Sequence, residues 1–361
     1  MDIRVYTLEE LEAHIQAINS HGDLLSPLSP LRLLSYLNNP RAKPGDPVLF
    51  ELRLKEKLVA YRSLLPDSYF DPQGNAHRFA WLSGNWVDPE LRRKGLSTLL
   101  LQEVDTRWEG RLMYTNYAPA SKAVYDRTDL FPLLVERKGK RFYLRAAAEE
   151  LLGERLGSRQ LLRFGDHAAN LLLERKLRKF EPVDKDRCRI EQLSGLDHEN
   201  GDLINRLQKP SLFRRDVEIF NWILNYPWVT EDTRDELDYH FSYQSERFEN
   251  ILLAFTLPDQ SRGLLWLVMH NQAMSVPYLW TESDLLYPFM ARTVIHYMIS
   301  KDCAYTTIRH AALTAQLSLH KKLFLSVREI PQLIFAHKAM RKQVPCDREI
   351  QDGDGDVVFT G

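Results

Sequence analysis

Hydrophobic and polar residues along the first 145 positions predict a mixed order of strands and helices. Apolar residues at every second position are typical of half-buried strands, and apolar residues three or four apart, such as Leu96, Leu100 and Val104, are typical of helices. The pattern predicts strands over 3–6, 48–54, 58–65, 78–86 and 111–116, helices after Thr7 and over 30–37, 96–108 and 119–127, and a closing hairpin over 133–144. Thr7 and Glu10 have the spacing of a capping box at the first helix.

The order of elements starts again after residue 182. A charged stretch over 146–180 predicts a helical connector, broken near 153–157 and again at Gly165. Beyond it the pattern predicts strands over 189–193, 251–257, 263–270, 277–281 and 305–309, helices over 202–207, 215–224, 285–299 and 314–322, and extended segments over 327–337 and 350–359. No sequence repeat accompanies this order, so the elements alone suggest a duplication. We therefore expect a first domain over 1–145, a linker over 146–180 and a second domain over 181–361.

Composition limits the classes of function. The 361 residues are 44% hydrophobic and 27% charged, yet the formal net charge is only −1. A chain so near neutrality exerts no long-range attraction on nucleic acid or anionic lipid, so neither is expected as a partner. Three dispersed cysteines, Cys188, Cys303 and Cys346, predict reduced thiols and no metal site. The N-terminus lacks a signal-peptide pattern and the apolar stretch 263–269 is too short to span a bilayer, so we expect a cytoplasmic protein.

The segment 86–98 is the most informative part of the sequence. It leaves a predicted strand, makes a short loop and enters a helix, an arrangement that directs free backbone N–H groups and the helix dipole at one point. Such a point binds phosphate. Gly95 allows a close approach of the backbone. Cationic charge comes from Arg92, Arg93 and Lys94, and Ser97 adds a small hydroxyl.

This segment resembles the acyl-CoA signature of the GCN5-related N-acetyltransferase (GNAT) superfamily. In that signature Val-x-Pro is followed by Gln or Arg, two variable residues, Gly, one variable residue, and Gly or Ala. The chain has Val87-Asp88-Pro89, then Arg92 to Gly95, with Ser97 in the last position. Members of this superfamily often carry a second motif on a helix after the next strand, in which Ser stands three residues before a Val/Ile-Tyr pair and Gly-Phe follows. This chain has Ser121 before Val124-Tyr125, with Asp129-Leu130-Phe131 in place of the usual Gly-Phe. The resemblance covers roughly 3–144.

The resemblance implies an α/β fold with two GNAT-like domains, each a mixed, mostly antiparallel twisted sheet flanked by helices. It implies acetyl-CoA as acyl donor, no metal, and direct attack of an amine through a tetrahedral intermediate. Tyr125 takes the position of the tyrosine that protonates the departing thiolate. The backbone of Asn85, Trp86 and Val87 takes the position that pairs with pantetheine and polarises the thioester. The implied cofactor site further contains Arg92, Arg93, Lys94, Gly95, Leu96, Ser97, Thr98 and Ser121.

A general base for the amine is not evident in the sequence. No Asp or Glu occurs between Asp71 and Asp88, where a carboxylate on the central strand is often found. His77 and Glu51 are the nearest candidates, and both are more typical of exposed residues. Ordered water or a group from the second half could equally do this work. The acceptor also stays open between an amino sugar, an amino acid, a polyamine and a protein amine.

The second half resembles a degenerate copy that has lost cofactor binding, because 283–292 enters its helix without a glycine. Aromatic residues concentrate in 220–228 and 278–280. We interpret most of them as core; the alternative is an acceptor-binding wall facing the first domain. The acidic run 351–356 lacks the bidentate Glu and the loop length of an EF-hand, which favours a tight acidic turn over a calcium site.

Two other functions remain open. One is a non-catalytic CoA sensor or interaction scaffold with the same fold, favoured by the missing base and the changes at Ser97 and Asp129. The other is an aminoacyl-tRNA-dependent transferase of the peptidoglycan type, which also pairs two such domains. Its tRNA partner favours a more basic surface than a net charge of −1 provides. The oligomeric state is not indicated.

Overall fold

Strands and helices alternate through the described part of the computed structural model, residues 1–20, 26–115, 118–148, 159–180, 183, 187–231, 239–241, 244–356 and 359. The strands are β1 Asp2–Thr7, β2 Pro47–Leu54, β3 Lys57–Phe70, β4 Ala76–Val87, β5 Leu112–Tyr114, β6 Leu133–Arg137, β7 Lys140–Tyr143, β8 Arg189–Leu193, β9 Thr230–Glu231, β10 Gln244–Ser245, β11 Phe248–Thr256, β12 Arg262–His270, β13 Ala273–Thr281, β14 Tyr305–Ile308, β15 Ser326–Glu329 and β16 Gln332–Ala336. The α-helices are α1 Leu8–Ser20, α2 Pro30–Leu37, α3 Leu96–Trp108, α4 Pro119–Thr128, α5 Arg159–Leu177, α6 His198–Leu207, α7 Val217–Asn225, α8 Tyr287–Ser300 and α9 Ala311–Leu319. Short 3-10 helices cover Pro89–Leu91, Asp284–Leu286 and Lys321–Leu323.

Two seven-stranded sheets have equivalent strand orders. The first runs β1-β2-β3-β4-β5-β16-β6, and the second, taken in the same direction, runs β8-β11-β12-β13-β14-β7-β15. In each sheet four antiparallel strands are followed by one parallel strand, β4 beside β5 and β13 beside β14. Each central pair, β3 with β4 and β12 with β13, also contains a register shift at a similar place. The duplication that element order suggested is therefore confirmed as a repeated sheet.

The two sheets exchange one strand. The sequence predicts a hairpin over 133–144, and this prediction is wrong: β6 pairs with β16 in the first sheet, whereas β7 pairs with β14 and β15 in the second. The predicted turn contains Gly139, and a Cβ there would lie 2.4 Å from Arg309 Cγ and 2.9 Å from the Ile330 carbonyl oxygen. The glycine thus permits a close crossing between sheets, and its local signal resembles that of a hairpin turn.

Three hydrophobic cores fill the spaces around the sheets. The largest combines facing residues of both sheets, such as Tyr61 and Trp266, with side chains from α1, α2, α6 and α7. A second lies under α3 and α4 on the first sheet, and a third under α8 and α9 on the second sheet. Because the largest core contains residues of both halves, the second half is packed against the strands that carry the candidate site.

Most other predicted elements are confirmed, with small shifts at their ends. The predicted capping contact exists, since the N–H and hydroxyl of Thr7 both donate to the carboxylate of Glu10 at 2.9 and 2.8 Å. The prediction of an extended 350–359 is wrong, because 352–356 forms consecutive turns. The predicted helix break near 153–157 lies outside the described residues, and the division at 145 and 180 stays a prediction. The predicted break at Gly165 is wrong, because α5 continues through it from Arg159 to Leu177. Cys188 and Cys303 are buried and Cys346 is exposed, all as free thiols. Within the described residues, no helix combines the length and apolar composition needed to cross a membrane.

Candidate functional site

The candidate site lies where β4 and β5 separate from each other. β4 pairs with β3 up to Val87, but its parallel pairing with β5 covers only Ala80 with Leu112 and Trp81 with Met113. In the described residues, the edge of 85–87 that faces β5 therefore has no strand partner. Backbone N–H and C=O groups on such an edge can pair with an extended ligand.

The loop after β4 presents the start of α3 to this opening. Gly95 is the residue before α3 and has a φ of +82°, in the left-handed region that glycine adopts without strain, and Arg93 has a φ of +65°. No side chain caps the helix. In the described part of the chain, the N–H groups of Leu96 and Ser97 donate to no protein acceptor, whereas those of Thr98 and Leu99 donate to the Gly95 carbonyl. A Cβ at position 95 would meet no atom within 4 Å, so the loop faces open space.

A groove of about 490 Å³ runs from this loop to α4. Every residue of the predicted cofactor site lines it except Lys94, which is exposed. Five further residues line the groove that the predicted cofactor site does not include, namely Leu91, Ala118, Ala120, Val124 and Arg127. The groove therefore brings together both motifs, the loop before α3 and the Ser121 region of α4.

The sequence did not indicate Arg62 on β3, whose side chain lies under the groove. Its side chain is fully buried, and its Nη1 donates to the phenol oxygen of Tyr125 at 2.8 Å while its Nη2 donates to Ser97 Oγ at 3.1 Å. Ser97 Oγ in turn donates to Asn85 Oδ1 at 3.0 Å, and Asn85 Nδ2 donates to Ser121 Oγ at 3.3 Å. One hydrogen-bonded chain therefore joins β3, β4, α3 and α4 under the groove.

Ser97 has a structural role that explains the departure from Gly or Ala. Its hydroxyl accepts from Arg62 and donates to Asn85, which neither Gly nor Ala can do. The serine thus ties the first turn of α3 to the strand whose backbone edge lies open.

Tyr125 lies beneath the groove rather than in its wall. Its side chain is only 4% exposed, and its ring stacks on Tyr114 with the centroids 4.1 Å apart. Since a guanidinium can only donate hydrogen bonds, Tyr125 is the acceptor in its bond with Arg62. The phenol proton is not used in that bond and can be donated elsewhere.

Positive charge surrounds the groove. Arg92, Arg93, Lys94 and Arg127 are all exposed. Arg92 Nε donates to the Val87 carbonyl at 3.3 Å, and Arg127 Nε donates to the Ala123 carbonyl at 2.9 Å. Together with the dipole of α3, these cations favour an anionic ligand.

The two predicted base candidates lie away from the groove. His77 is at the far end of β4, where Nε2 bonds to Asp71 Oδ2 at 2.9 Å and the ring stacks on Tyr69. The interpretation of Glu51 as an exposed residue is wrong: its side chain is fully buried and paired with Arg53 at 2.7 Å and His14 at 2.7 Å. Its polar partners, rather than solvent, accommodate this carboxylate.

The opposite face of β4 meets residues of the second half. His240 stacks on Trp86 with the ring centroids 3.7 Å apart, and burial lowers the pKa of His240 to about 4. Beside it lies a cavity of about 180 Å³, lined by Pro27, Ser29, Arg32, Trp228, Tyr239, His240 and Phe241. The guanidinium of Arg32 lies 4.0 Å from the ring centre of Trp228. Most of the aromatic segments 220–228 and 278–280 is core, as predicted, while Trp228 also lines this cavity.

Among the described residues of the second half, the equivalent position has no comparable loop. A 3-10 helix over Asp284–Leu286 runs directly into α8, and Leu286, fully buried, precedes the helix in a right-handed helical conformation. A Cβ at Gly263 would lie 2.6 Å from Met290 and 3.0 Å from Leu286, so side chains pack closely there. The prediction of a second copy without the phosphate loop agrees with this geometry.

The acidic run 351–356 forms a turn whose carboxylates bind protein groups. Asp352 pairs with Arg137 at 2.7 Å, and Asp354 lies 3.4 Å from Arg215. Asp356 instead accepts a hydrogen bond of 2.6 Å from the hydroxyl of Ser83 on β4. These contacts account for the alternating aspartates without a metal.

Comparisons with known proteins identify the fold. No protein-family model and no curated protein sequence matches the chain. Among solved structures, a conserved Enterococcus faecalis protein described as a probable N-acyltransferase matches with a TM-score of 0.56 and 9% identity, over 94% of this chain and 73% of its own. A GCN5-related N-acetyltransferase from Anabaena variabilis matches with a TM-score of 0.50 and 9% identity, over 94% and 74%. Saccharomyces cerevisiae N-myristoyltransferase with bound myristoyl-CoA matches with a TM-score of 0.50 and 11% identity, over 93% and 82%.

At these identities the likeness concerns the fold. The chain has the GNAT fold, with two such sheets in tandem, and the predicted fold class is confirmed.

Proposed function

We propose that this protein is an acyl-CoA-dependent N-acyltransferase that transfers an acetyl group from acetyl-CoA to an amine. One observation carries the proposal: the N–H groups of Leu96 and Ser97 open on a cationic groove that continues along the unpaired edge of β4. A helix start binds the anionic diphosphate, and an unpaired strand edge binds the amide groups of pantetheine. A ligand that carries both groups in series matches the groove better than a simple phosphate.

The residues of the chain then have distinct tasks. Leu96 and Ser97 hold the diphosphate through their backbone, and the backbone over 85–87 aligns the pantetheine arm and donates to the thioester carbonyl oxygen. Such donors stabilise a developing oxyanion by a few kcal/mol. The amine nitrogen attacks the carbonyl carbon, the C–S bond breaks, and Tyr125 gives its proton to the departing thiolate. Arg62 holds the phenol in place from below.

Calorimetry with acetyl-CoA tests the binding step. Wild type is expected to bind, and Gly95→Glu is expected to lose binding, because its side chain places a negative charge and steric bulk where the diphosphate lies. Gly45→Glu is the matched control, since Gly45 is also exposed with no atom within 4 Å of a built Cβ. Wild type that does not bind acetyl-CoA, or a Gly95→Glu variant that binds as tightly as Gly45→Glu, contradicts the proposal.

Turnover tests the chemical step. The donors are acetyl-CoA and myristoyl-CoA; the second is included because a fold neighbour is a myristoyltransferase. Each donor is mixed with glucosamine, lysine, spermidine or a peptide with a free N-terminus, and thiol release is followed. The proposal expects amide formation with at least one amine and a preference for the acetyl donor. A faster reaction with myristoyl-CoA would show that acetyl-CoA is not the preferred donor, while the proposed N-acyl transfer would stand.

A second candidate is a CoA-binding protein without turnover. The burial of Tyr125 beneath the groove, with 4% of its side chain exposed, favours it. Such a protein binds acetyl-CoA in the calorimeter and releases no thiol with any amine or with water. That combination of results separates it from the transferase.

A further inference from the structure

The C-terminal turn crosses the central strands of both sheets. The N–H of Gly353 donates to the Pro277 carbonyl on β13 at 2.8 Å, and the Tyr278 hydroxyl donates to the Gly353 carbonyl at 2.9 Å. A Cβ at Gly353 would lie 2.6 Å from the Tyr278 ring, so only glycine fits this crossing. Three residues later Asp356 reaches Ser83 on β4. The turn therefore carries a carboxylate from the end of the chain to the strand of the proposed acyl site.

Ser83 lies at the register shift of β4. Ser63 pairs with Gly84 and Leu64 pairs with Leu82, so Ser83 has no partner on β3. Its hydroxyl faces α2, where Arg32 Nη2 donates to it at 3.0 Å, whereas the Asn85 side chain faces α3 and α4 on the other side. Two residues of strand span about 6–7 Å. Asp356 thus lies near the proposed acyl site but on the opposite face of the strand.

The cavity of about 180 Å³ adjoins this position. Arg32 lines the cavity and also bonds to Ser83, so this side chain connects the cavity to the hydroxyl, although neither Ser83 nor Asp356 lines the cavity itself. Ser83 and Asp356 both keep part of their surface exposed. An acceptor entering through the cavity would approach β4 from the face that carries the carboxylate.

Asp356 differs from the other two aspartates of the turn. Asp352 and Asp354 are paired with arginines, whereas in the described residues Asp356 forms no direct ion pair and binds through the Ser83 hydroxyl. Burial raises its pKa above the usual range for aspartate, although the Ser83 hydrogen bond and the charge of Arg32 oppose this. A carboxylate of raised pKa accepts a proton more readily near neutral pH.

We propose that Asp356 is the general base that takes the proton from the acceptor amine, directly or through the Ser83 hydroxyl. The proposal rests on the proposed transferase function and assigns the base that the sequence does not show. The protonated acceptor amine first gives one proton to the Asp356 carboxylate; in the relayed form Ser83 gives its own proton to Asp356 and receives the proton of the ammonium group. The neutral amine then attacks, the N–C bond forms and the C–S bond breaks, and the second nitrogen proton replaces the one that Tyr125 gave to the thiolate. Asp356 then releases the proton to water.

Other titratable groups face the same carboxylate. Arg32 and Tyr36 of α2 interact with it electrostatically, and burial raises the pKa of Tyr36, so the phenol is neutral at physiological pH. His240 borders the adjoining cavity and its pKa of about 4 keeps it uncharged there. Among these groups, Asp356 is therefore the one whose protonation is expected to lower kcat/KM on the acidic side of its pH profile.

The test compares Asp356→Asn with Asp352→Asn, a matched change in the same turn. Both are titrated with acetyl-CoA in the calorimeter, and kcat/KM is measured from pH 5.5 to 9 with lysine and spermidine, which are protonated at neutral pH, and with hydroxylamine, which is not. If no amine reacts, acetyl-CoA hydrolysis is followed with water as acceptor. Asp356→Asn is expected to bind acetyl-CoA normally, to react about 10²-fold more slowly with the protonated amines, and to lose the acidic limb. The rate difference between Asp356→Asn and wild type is expected to be smaller with hydroxylamine and at high pH, because a larger share of the amine is then already deprotonated.

Several results would overturn the assignment. Equal rates for Asp356→Asn and Asp352→Asn, or the same deficit with hydroxylamine as with lysine, exclude the role of base. If Asp356→Asn does not fold, Ser83→Ala replaces it in the test, because this variant keeps the carboxylate and removes its link to β4. The rate of Ser83→Ala with protonated amines is expected to fall by the same factor. Wild-type rates in Ser83→Ala overturn the relayed role. Wild type that fails to bind acetyl-CoA, or binds it without transfer or hydrolysis, refutes the transferase itself; a working wild type with an unaffected Asp356→Asn refutes only this inference.

Discussion

Arg62 Nη1 donates a hydrogen bond of 2.8 Å to the phenol oxygen of Tyr125, inside the protein and directly below the candidate groove. In the described residues no carboxylate lies within ion-pairing distance of Arg62, and its Nε has no hydrogen-bond partner. Burying a cation among neutral groups costs free energy. In the mechanism proposed above, this buried charge orients the phenol that protonates the departing thiolate.

Replacement of Arg62 by methionine should separate stability from function. Methionine fills a similar volume without a buried charge, so we expect a free energy of unfolding equal to or above that of wild type. Acyl transfer should fall by about 10-fold to 100-fold, because the phenol loses its positioning partner. Urea unfolding and thiol release measure the two quantities.

Arg53→Met is the control for this change. Arg53 is also buried but pairs with the buried Glu51 at 2.7 Å. Its loss leaves a carboxylate without its charged partner, and we expect destabilisation by about 3 kcal/mol. A loss of the same size in Arg62→Met would show that Arg62 is structural.

Tyr125→Phe tests the proton donor. The variant keeps the ring that stacks on Tyr114 and removes only the hydroxyl. Since the tyrosine does not line the groove, we expect the Kd for acetyl-CoA to stay within about twofold, while kcat falls about 10²-fold or more. Tyr143→Phe, on β7 of the second sheet, should leave both values unchanged. An unaltered kcat in Tyr125→Phe would remove Tyr125 from the mechanism.

Local pattern predicted the elements well and their pairing poorly. α2 and α3 begin and end where the sequence places them, because Pro30 at a helix start and Gly95 before one are strong local signals. The strands over 133–144 were identified as strands, but they pair with β14, β15 and β16, whose residues come more than 150 positions later. No short-range signal encodes a partner at that separation.

The same limit applies to the site. The groove loop is contiguous in sequence, and every residue that the sequence assigns to the cofactor site except Lys94 lines the groove. Arg62 was missed although it is a single charged residue within an apolar strand, a pattern that marks a buried polar group with a specific partner. Asp356 approaches β4 only through the C-terminal turn, so its contact with Ser83, 273 positions away, could not be read from spacing.

Arg127, which the sequence did not indicate, should contribute to CoA affinity. It lines the groove and is exposed, so its charge acts through solvent and is screened by salt. We expect Arg127→Ala to weaken CoA binding about 2-fold to 5-fold at low ionic strength and much less at high salt. Arg107→Ala, an exposed arginine of α3 paired with Glu103, serves as control. If 3′-dephospho-CoA shows the same difference between wild type and variant, Arg127 contacts the diphosphate; if the difference disappears, it contacts the 3′-phosphate.

The His240 contact with Trp86 should make stability depend on pH. Burial lowers the pKa of His240 from 6.5 to about 4, so between these values the unfolded chain binds a proton that the folded protein excludes. The contribution of His240 to the free energy of unfolding is therefore fully present above pH 6.5. It decreases as the pH falls from 6.5 to 4 and changes no further below pH 4. Because the residue is partly exposed, we expect about 1–2 kcal/mol, less than the full shift would give.

Urea unfolding of wild type and His240→Gln at pH 7.5 and 4.5 measures this contribution. The variant should lose less stability on acidification than wild type, since glutamine does not titrate. His198→Gln, a change at an exposed histidine of α6, should follow wild type. Were His240→Gln to show the wild-type acid sensitivity, the ring would be solvated in both states, and the second half would not close over Trp86 at this point.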